Sequence, residues 1–501
     1  MKLSSSLSIL ASVLASVSTV AARRRDPRHT CCSALANEKG LEGKVFSKKD
    51  SFYDNRLAAY YSANAAQAPW CMVLPETTSD VSNVAQVLER NHCPFGIRSG
   101  AHSAFKGSNG IKKGVTVDFG HMNKTTYNEA TKIASMGPGS DWGSVYTALD
   151  PHGVAAVGGR ASVVGVGGFT TGGGYSFHTN SAGFACDMVA NFEVVLYNGD
   201  VVNANANENA DLWKALKGGS GNFGFVTRID QHTVQGNKMW GGFVNYDQSE
   251  RDAVFKAYLN FAHNMDKDPY SQNIVAVTYD KTGYCLRSIL SNVQAKTNAP
   301  AFKEYFSIAN TSTTLSVGSI ADLVPQFTGP TPLGLYANWM VGQTASDFRI
   351  MDFMDKKHKE YTKRMAAAAP SADFDLLVQF QPVTKSIVDH GRKNGGNSMG
   401  LEDVVADGPS LMWLIALTVD TAKNQKVILP LALEYREEVD NYAKSLGLHK
   451  DWKYLNYAWK DQRPLSSHGR DTVKFLESVS EVYDPHGVFQ KLRQTGFKLR
   501  G

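Results

Sequence analysis

Glycine-rich stretches are the feature that most constrains this chain, and three of them lie between residues 97 and 227. They read IRSGAHS (97–103), GVGGFTTGGGY (165–175) and GGSGNFGFVT (218–227). Glycine loses more backbone entropy on folding than any other residue, so such stretches are costly unless the backbone must approach something closely. Neither a phosphate-binding lysine nor a set of metal ligands accompanies them. They therefore predict a large, flat, anionic ligand, a dinucleotide with a planar ring, held by backbone N–H groups.

Other ligand classes are disfavoured by the context of these stretches. Residues 219–224 match G-x-G-x-x-G, which in nicotinamide enzymes follows a strand and opens a helix. Here a helical pattern, ADLWKALKG, precedes the match and a strand pattern, FVTRI, follows it, so that site is excluded. The chain also lacks a G-x-S-x-G elbow and a P-loop. Its histidines lack the spacing of metal ligands, so we expect neither a hydrolase nor a metal site.

The organisation of the chain predicts two regions of mixed secondary structure. A length of 501 residues exceeds what one core usually holds. Residues up to about 236 mix helices and strands without a regular βαβ repeat, which indicates an α+β fold. From 239 to 450, apolar strands such as NIVAVTY and SLMWLIALTV alternate with long polar helices, which predicts a sheet covered by helices on one face. The net charge of +5, without a Lys/Arg stripe, favours no nucleic-acid partner.

The N-terminus has the layout of a secretory signal peptide over residues 1–22. Lys2 supplies the positive end, and an apolar run over 7–20 leads to small residues at the cleavage point. The run is short and interrupted by serines. We therefore expect a secreted protein without a membrane span once the signal is removed.

Cysteines and glycosylation sequons are consistent with secretion. Six cysteines could form disulfides in an oxidising compartment, and a bridge from Cys31 or Cys32 to Cys93 is one pairing compatible with the sequence. Asn123 and Asn310 lie in N-x-S/T sequons, which indicates a glycoprotein.

A series of motifs carries a resemblance to a known family. In order they are IRSGAHS, GPGSDWGSVYTAL, VGVGGFTTGGGY, NGDVV, LKGGSGNFGFVTRI, YLNYAW and YDPHGVFQKL. This set resembles the berberine-bridge-enzyme-like FAD-linked oxidases of the vanillyl-alcohol-oxidase group, above all fungal secondary-metabolite oxidases, over nearly the whole mature chain. The resemblance implies a PCMH-type FAD-binding domain of two α/β subdomains (66–236) and a substrate domain with an antiparallel sheet (237–449). An N-terminal segment (23–65) and a C-terminal segment (450–501) that returns to the FAD domain complete the chain.

The resemblance assigns a set of residues to FAD. In the family, the histidine of the first motif is bonded to the 8α carbon of the flavin, and His102 holds that position. A neutral imidazole is a suitable nucleophile for this bond. The rest of the turn would wrap the pyrophosphate, namely Arg98, Ser99, Gly100, Ala101 and Ser103. The other implied contacts are Pro138 and Gly139 at the flavin edge, Gly165, Gly172, Gly173 and Val226 along the dinucleotide, and Asn456 at the ring.

Three positions depart from the family pattern. Ala101 replaces a second glycine of the turn, a change that we expect to be tolerated if φ at this residue is negative. Ala161 replaces a cysteine that forms a second bond to the flavin in many relatives, which implies covalent attachment through His102 only. Phe169 replaces a histidine that contacts the flavin in plant members, so that role is not assigned here.

The resemblance implies substrate oxidation by hydride transfer to FAD, with O2 as electron acceptor and hydrogen peroxide as second product. A base must take a proton from the substrate. Plant members carry a carboxylate on a strand of the substrate domain, but the corresponding strand, SLMWLIALTV, has none. Tyr454 is the first candidate if its surroundings lower its pKa, with Tyr457 beside it. Asp403 and Glu402 are candidates by elimination.

The substrate is expected to be a small hydrophobic natural product, oxidised at an alcohol or an activated C–H bond by a monomeric enzyme of secondary metabolism. The aromatic residues that favour this are Trp339, Phe374, Phe380 and Trp413. Two alternatives stay open. The family contains oligosaccharide oxidases, which commonly bind flavin through two bonds and are disfavoured by Ala161. The missing carboxylate is also compatible with a non-catalytic, secreted flavin-binding protein.

Overall fold

The computed structural model describes residues 27–329 and 332–500, and most of their strands form three β-sheets. The predicted signal peptide, residues 1–22, lies outside the described residues. The strands are β1 (Val45–Ser47), β2 (Cys71–Val73), β3 (Phe95–Arg98), β4 (Val115–Asp118), β5 (Thr125–Asn128), β6 (Ile133–Met136), β7 (Val154–Ala155), β8 (Val189–Val195), β9 (Val201–Asn205), β10 (Phe225–His232), β11 (Val234–Gln235), β12 (Lys238–Tyr246), β13 (Ser271–Asp280), β14 (Gly283–Asn292), β15 (Asn310–Thr313), β16 (Ser316–Ser319), β17 (Tyr336–Ala345), β18 (Phe374–Val383), β19 (Ser410–Val419) and β20 (His449–Lys450).

Helices connect and cover these strands. They are α1 (Pro27–Ala36), α2 (Ser51–Ala58), α3 (Thr78–Arg90), α4 (Trp142–Leu149), α5 (Val166–Thr171), α6 (Thr179–Ala182), α7 (Ala210–Gly219), α8 (Arg251–His263), α9 (Lys303–Phe306), α10 (Ile320–Thr328), α11 (Phe348–Ala368), α12 (Lys385–Lys393), α13 (Ala422–Ser445) and α14 (Arg470–Tyr483). No helix of the described ranges has the length and apolar character needed to cross a bilayer.

The first sheet has the strand order β1-β2-β4-β3, with parallel pairing among β2, β4 and β3. Helix α3 begins with a capping box in which the Thr77 side chain accepts from the Asp80 N–H and the Asp80 carboxylate accepts from Thr77. Its apolar face, with Val81, Val84 and Leu88, is fully buried in the core of this sheet. The sheet thereby fixes the end of β3, where the turn with the predicted flavin-linked histidine begins.

Two disulfides tie helix α1 to this sheet. Cys31 is bonded to Cys93 and Cys32 to Cys71, so the predicted bridge to Cys93 is formed by Cys31. Each bridge closes a loop of 62 or 39 residues. Closing loops of this length contributes about 4 kcal/mol per bridge in the chain-entropy model. The N-terminal segment is thus fastened to the first sheet covalently.

The second sheet is antiparallel, with the order β5-β6-β10-β8-β9. Trp142, at the start of α4, is fully buried in its core against Gly158, where a Cβ would lie 2.1 Å from the indole. Helix α7 precedes the G-x-G-x-x-G match and strand β10 follows it. The helix-then-strand order that excluded a nicotinamide site is confirmed.

The third sheet has nine antiparallel strands, in the order β15-β12-β14-β13-β18-β19-β17-β20 with β16 paired to β12. Helices α8, α11 and α13 pack on it, and Tyr361 of α11 stacks on Tyr435 of α13 with ring centroids 5.1 Å apart. Long buried strands such as β19 read as continuous apolar runs because they are covered on both faces. The predicted α+β fold with a helix-covered antiparallel sheet is confirmed.

The last described residues return to the first sheet. The N–H of Gln494 donates to the carbonyl of Phe95 at 2.9 Å, and the N–H of Gly496 donates to Gly107 at 2.9 Å. These bonds hold the chain beside the turn that follows β3. As a result, Arg493 comes to lie next to residues that precede it by nearly 400 positions.

Candidate active site

A cavity of about 440 Å³ lies between the glycine-rich loops and the nine-stranded sheet. This is within the range of about 300–1,000 Å³ typical of ligand pockets. All three glycine-rich stretches contribute to its wall. The predicted cofactor residues in the wall are Ser99, Gly100, Ala101, His102, Ser103, Pro138, Gly165, Val226 and Asn456. The structure therefore brings the three stretches together at one site.

Two glycines allow the first two stretches to pack backbone against backbone. A Cβ on Gly100 would lie 2.5 Å from Gly165 Cα, and a Cβ on Gly165 would lie 2.3 Å from the Gly100 nitrogen. The Ser99 hydroxyl donates to the Pro138 carbonyl at 2.5 Å and holds a third segment against this contact. Larger residues at either glycine would push the loops apart. This part of the wall is consequently formed by backbone rather than by side chains.

His102 faces the cavity and is held between two aromatic rings. Its imidazole stacks on Tyr61 with centroids 3.9 Å apart and planes 15° apart, and Trp339 contacts it edge-on at 5.8 Å. Enclosure by protein lowers the pKa of His102 to about 4, since burial disfavours the charged form. The ring is therefore neutral at physiological pH, which is the form that can act as a nucleophile.

Ala101 differs from the sequence-based expectation. Its φ is +55°, in the left-handed region, so the negative φ on which tolerance of the alanine was made to depend is not met. For an L-residue this conformation costs roughly 1–2 kcal/mol. The Tyr61 N–H donates to the Ala101 carbonyl at 3.2 Å, so surrounding contacts hold the strained residue in place.

Arg98 does not reach the cavity wall, contrary to its predicted role at the pyrophosphate. It is the last residue of β3, and its side chain is 2% exposed beneath the turn. Its guanidinium lies 3.4 Å from the Asp118 carboxylate and 4.1 Å from the centre of the Tyr60 ring. Arg98 therefore packs beneath the turn, and the residues that follow it, Ser99 to Ser103, line the cavity.

Three predicted cofactor glycines also lie outside the wall. A Cβ on Gly139 would lie 1.8 Å from the Phe119 carbonyl oxygen, and one on Gly172 would lie 2.1 Å from Asn456 Oδ1. Gly173 has a φ of +112° and packs against Tyr454 and Met399. These glycines allow close packing behind the wall, and their predicted contacts with the dinucleotide stay predictions.

A polar cluster interrupts the wall where it meets the nine-stranded sheet. Arg160 Nη2 donates to Gln381 Oε1 and to Tyr457 Oη, the latter at 3.1 Å. Gln381 Nε2 lies 3.4 Å from the same phenol oxygen. The Arg160 guanidinium also lies 4.6 Å from the centre of the Tyr175 ring. The sequence indicated Tyr457 but not Arg160, because a single arginine in a chain carries no signal of its environment.

Tyr454 is a structural residue in this arrangement. Its hydroxyl oxygen accepts from the N–H groups of Gly174 and Tyr175, both at 2.9 Å, and from Asn456 Nδ2 at 3.1 Å. Burial raises the pKa of Tyr454, opposite to the lowering that a base would need. Asn456 Nδ2 also donates to the Phe169 carbonyl at 3.0 Å, so its amide group is engaged with protein. Tyr457, beside them, keeps its hydroxyl at the polar cluster.

Asp403 and Glu402 are not part of the cavity. Both are exposed, and Glu402 pairs with Arg392 at 3.5 Å. Their neighbours Leu401 and Val404 point into the core of the large sheet and turn the two carboxylates to the surface. The two candidates chosen by elimination therefore lie at the surface, away from the cavity wall.

Arg493 lines the opposite end of the cavity and was missed from the sequence. It is 4% exposed, and its Nη2 donates to Asn222 Oδ1 at 2.6 Å. Burial lowers its pKa to about 9. Its Nη1 faces Gly221 and Gly496, next to the third glycine-rich stretch. Only the return of the C-terminal segment places this cation there.

The wall fits a large anionic dinucleotide. It contains two arginines, Arg160 and Arg493, and neither an aspartate, a glutamate nor a lysine among the described residues. Asn109 Oδ1 is a buried oxygen of the wall without a hydrogen-bond partner in the described chain. Close backbone approach at the glycines and a cation near Gly221 suit the pyrophosphate of FAD, and the open Asn109 oxygen can accept from a donor of the cofactor.

The side of the wall formed by the large sheet and helix α10 is mostly apolar, with Gln379 and Thr328 as polar members. Strand residues of the large sheet and helix α10 contribute Phe243, Ile274, Ile289, Phe327 and Trp339. Of the four aromatic residues singled out from the sequence, Trp339 lines the cavity. The others, Phe374, Phe380 and Trp413, belong to the core of the large sheet.

Comparison with known proteins agrees with this geometry. A family model described as an FAD binding domain matches residues 69–205. The FAD-dependent monooxygenase drtC of Aspergillus calidoustus is 35% identical over 94% of this chain and 90% of its own length.

Two solved structures are similar over nearly the whole fold. Wild-type Physcomitrella patens BBE-like 1 has a TM-score of 0.71 at 19% identity, over 94% of this chain and 99% of that one. A glucooligosaccharide oxidase of Acremonium strictum, described as carrying 6-S-cysteinyl, 8α-N1-histidyl FAD, has a TM-score of 0.73 at 19% identity, over 95% and 99%. The cavity wall fits FAD, and the fungal relative is 35% identical over most of both chains. The chain therefore belongs to the FAD-dependent monooxygenase family of that relative, and it is an FAD-linked oxidoreductase with the berberine-bridge-enzyme-like fold.

Proposed function

We propose that this protein is a secreted FAD-dependent oxidase that is bonded to its cofactor through His102 alone. The observation that carries the proposal is the neutral imidazole of His102 in the cavity wall, fixed by Tyr61 and Trp339. Ala161 lies in the same wall and offers no sulfur for a second bond. The two disulfides support passage through an oxidising compartment.

FAD, when bound, supplies the capacity to take a hydride from a substrate carbon and to pass two electrons to O2, giving hydrogen peroxide. The residues that would hold it are His102, Arg493 and the backbone around Gly100, Gly165 and Gly221. The protein contributes orientation and exclusion of water. Apolar side chains of the wall keep the reacting bond dry, which strengthens every polar contact within the cavity.

Tyr457 is the residue that we assign to proton transfer. Its hydroxyl lies in the cavity wall, 3.1 Å from the Arg160 guanidinium. A cation at this distance stabilises negative charge on a neighbouring oxygen, so the pair can carry one charge while a proton moves between Tyr457 and a substrate hydroxyl. Tyr454 cannot take this role, because its oxygen already accepts three hydrogen bonds.

The substrate that this wall favours is a small hydrophobic natural product with an alcohol or an activated C–H bond, which suits a monomeric enzyme of secondary metabolism. Phe243, Ile274, Ile289 and Phe327 supply most of the surface on this side, and Gln379 and Thr328 are its polar groups. An oligosaccharide would need a groove rich in polar groups. The alanine at 161 and this apolar surface both argue against a carbohydrate oxidase.

Acid denaturation of the purified protein tests the cofactor bond. Flavin absorbance should precipitate with the wild-type polypeptide and with His121→Ala, an exposed histidine outside the cavity wall. His102→Ala should release the flavin into the supernatant. A colourless wild-type protein, or flavin that leaves wild type and His102→Ala alike, would overturn the proposal.

Peroxide formation tests the reaction. Incubation with a panel of hydrophobic alcohols under isotope-labelled oxygen should give labelled hydrogen peroxide and an unlabelled product. Label in the product would instead show that the protein inserts oxygen, as its relatives' description as monooxygenases suggests. A flavin-loaded protein that yields neither with any alcohol, aldehyde or sugar would support a binding protein.

A further inference from the structure

We infer that Asn64 is a positioning residue for the attachment of flavin to His102. Its side chain forms an amide network with Asn338 and Gln425, and this network docks residues 61–64 onto the nine-stranded sheet. The inference rests on the proposed function and adds a condition to it: the large sheet must be in place before the flavin bond forms. Two observations carry it, the docking contact itself and the rings that both sides of this contact place on His102.

Residues 61–64 pack along the edge of strand β17 at the start of that strand, where β20 does not reach. The Ser62 hydroxyl donates to the Ala337 carbonyl at 3.0 Å and accepts from the Ala337 N–H at 3.1 Å. The Ala63 N–H donates to the Leu335 carbonyl at 2.8 Å. Ser62 is fully buried by this contact. The segment is therefore docked on the large sheet through its own backbone and a buried hydroxyl.

The amide network sets the position of the segment on the strand. Asn64 Nδ2 donates to Gln425 Oε1 at 2.9 Å, and Gln425 Nε2 donates back to Asn64 Oδ1 at 3.0 Å. Asn338, which is fully buried, donates through Nδ2 to the same Gln425 oxygen at 2.9 Å. Asn64 Nδ2 also lies 3.0 Å from the Ala337 carbonyl oxygen. Because an enclosed amide that loses its partner is costly, the network favours one placement of the segment.

Each side of the docking contact places one aromatic ring on His102. Tyr61, three residues before Asn64, stacks on the imidazole with centroids 3.9 Å apart. Trp339, the neighbour of Asn338 on β17, contacts the imidazole edge-on at 5.8 Å. The two rings also contact each other, with centroids 6.0 Å apart and planes 89° apart. A shift of the segment along β17 would separate the rings and leave the imidazole free to turn.

Attachment is the step that depends on this orientation. A bond forms between an imidazole nitrogen of His102 and the 8α carbon of the flavin, while a C–H bond of that carbon and the N–H bond of the imidazole break. Two protons and two electrons are released, and O2, the acceptor of the proposed reaction, takes both to give hydrogen peroxide. A displacement of about 1 Å can slow such a step about a hundredfold.

Binding of FAD before attachment does not depend on the amide network. The residues that we assign to holding the cofactor are Arg493 and the backbone around Gly100, Gly165 and Gly221. None of them is bonded to Asn64 in the part of the chain that the structure describes. Loss of the network should consequently slow attachment and leave binding intact.

Timed incubation of the full-length, flavin-free protein from a riboflavin-starved host with FAD tests the inference. The flavin that precipitates with the protein in acid gives the rate of attachment. Asn64→Ala should lower the maximal rate about tenfold and leave the FAD concentration for half-maximal rate at the wild-type value. Gln425→Met breaks the network from the other side and should act alike. The double variant should be no slower than the slower single variant, because both remove one interaction.

Asn205→Ala is the matched control. Asn205 is also half-buried and donates to another asparagine, Asn191, at 3.1 Å, but it lies on β9 at the edge of the second sheet. The control removes a comparable amide contact far from the docked segment. It should attach FAD at the wild-type rate.

A wild-type attachment rate in Asn64→Ala and Gln425→Met would overturn the inference. So would a loss of FAD affinity that accounts for the slower attachment, an equal slowing in Asn205→Ala, or effects of the two single variants that multiply in the double variant. Where the melting temperature shows that Asn64→Ala does not fold, Gln425→Met decides.

The proposed function fails separately from this inference. Wild-type protein that releases its flavin in acid overturns the bond to His102 itself. Wild-type protein that retains flavin in acid, together with network variants that attach it equally fast, overturns only the positioning role of Asn64.

Discussion

The phenol ring of Tyr61 lies flat on the imidazole of His102, with centroids 3.9 Å apart and planes 15° apart. Tyr61 is also bonded through its backbone N–H to Ala101, the residue before the histidine. Tyr61 therefore holds both the backbone of the turn, at Ala101, and the imidazole of His102. The likeness in sequence pointed to the histidine but gave no indication of what holds it.

Replacing Tyr61 with leucine should slow cofactor attachment. A stacked aromatic pair contributes about 1 kcal/mol, so the orientation of His102 should be held about fivefold less well. The measurement is the fraction of flavin that stays with acid-precipitated protein after a timed incubation with FAD. Tyr61→Phe keeps the ring and should attach FAD at the wild-type rate. Equal rates for leucine and phenylalanine would show that the stack has no such role.

The two tyrosines of YLNY should behave differently when each loses its hydroxyl. Tyr457→Phe should lower the rate of substrate-driven flavin bleaching without oxygen by about a hundredfold or more, as expected for loss of a proton-transfer group. Tyr454→Phe should instead lower the free energy of unfolding by about 1–3 kcal/mol, because the N–H groups of Gly174 and Tyr175 lose their acceptor. The reverse pattern would exchange the two roles.

Ala161→Cys should create a second attachment point. Residue 161 lies in the cavity wall beside Arg160, at the position where the resemblance in sequence implies a flavin-linked cysteine. In a His102→Ala background, the added thiol should retain part of the flavin after acid precipitation, and the flavin mass should map to the peptide with residue 161. Ser162→Cys in the same background places a thiol outside the wall and should retain none. Retention in both variants would indicate non-specific thiol chemistry.

Mild acid should destabilise the folded chain through its buried histidines. Burial lowers the pKa of His358 to about 4, below the 6.5 of an unfolded histidine. Between these values only the unfolded state takes the proton, so stability is present above pH 6.5 and is lost as the pH falls towards 4. The loss is about 1.4 kcal/mol per pH unit for this one residue.

Urea unfolding at about pH 7 and about pH 5 measures the effect. His358→Gln, whose amide can still donate to the Leu376 carbonyl, should lose about 2 kcal/mol less than wild type between the two conditions. His178 and His468, also buried with pKa values lowered by burial to about 4, should act in the same direction. Parallel losses for wild type and His358→Gln would contradict the assignment.

Local patterns predicted the parts of the fold that depend on local physics. Helix α3 and strand β3 follow from a capping residue, an apolar stripe and a short apolar run. The reversed order around the G-x-G-x-x-G match followed from the patterns on either side of it. The meeting of the three glycine-rich stretches at one site could also be predicted. Each stretch costs backbone entropy on folding, and close approach to one shared ligand would account for all three.

The direction in which each side chain points, and the residues that it contacts, could not be predicted from the sequence. Arg98 and His102 belong to one motif, but the strand ends between them and sends one side chain below the turn and the other into the cavity. Ala101 has a left-handed backbone because the turn is imposed by its neighbours. The place of Arg160 in the cavity wall, bonded to the Tyr457 hydroxyl, is likewise a property of tertiary structure.

The return of residues 493–497 to the turn after β3 has a consequence for how this protein is made. The wall at Arg493 and the bonds from Gln494 and Gly496 to the first sheet are complete only after these residues have left the ribosome. The sheets next to the site can form before these residues are synthesised, but the cavity wall then lacks Arg493 and its neighbours. We therefore expect FAD to be loaded late in biosynthesis, so that a nascent chain stalled before residue 493 should not retain the cofactor.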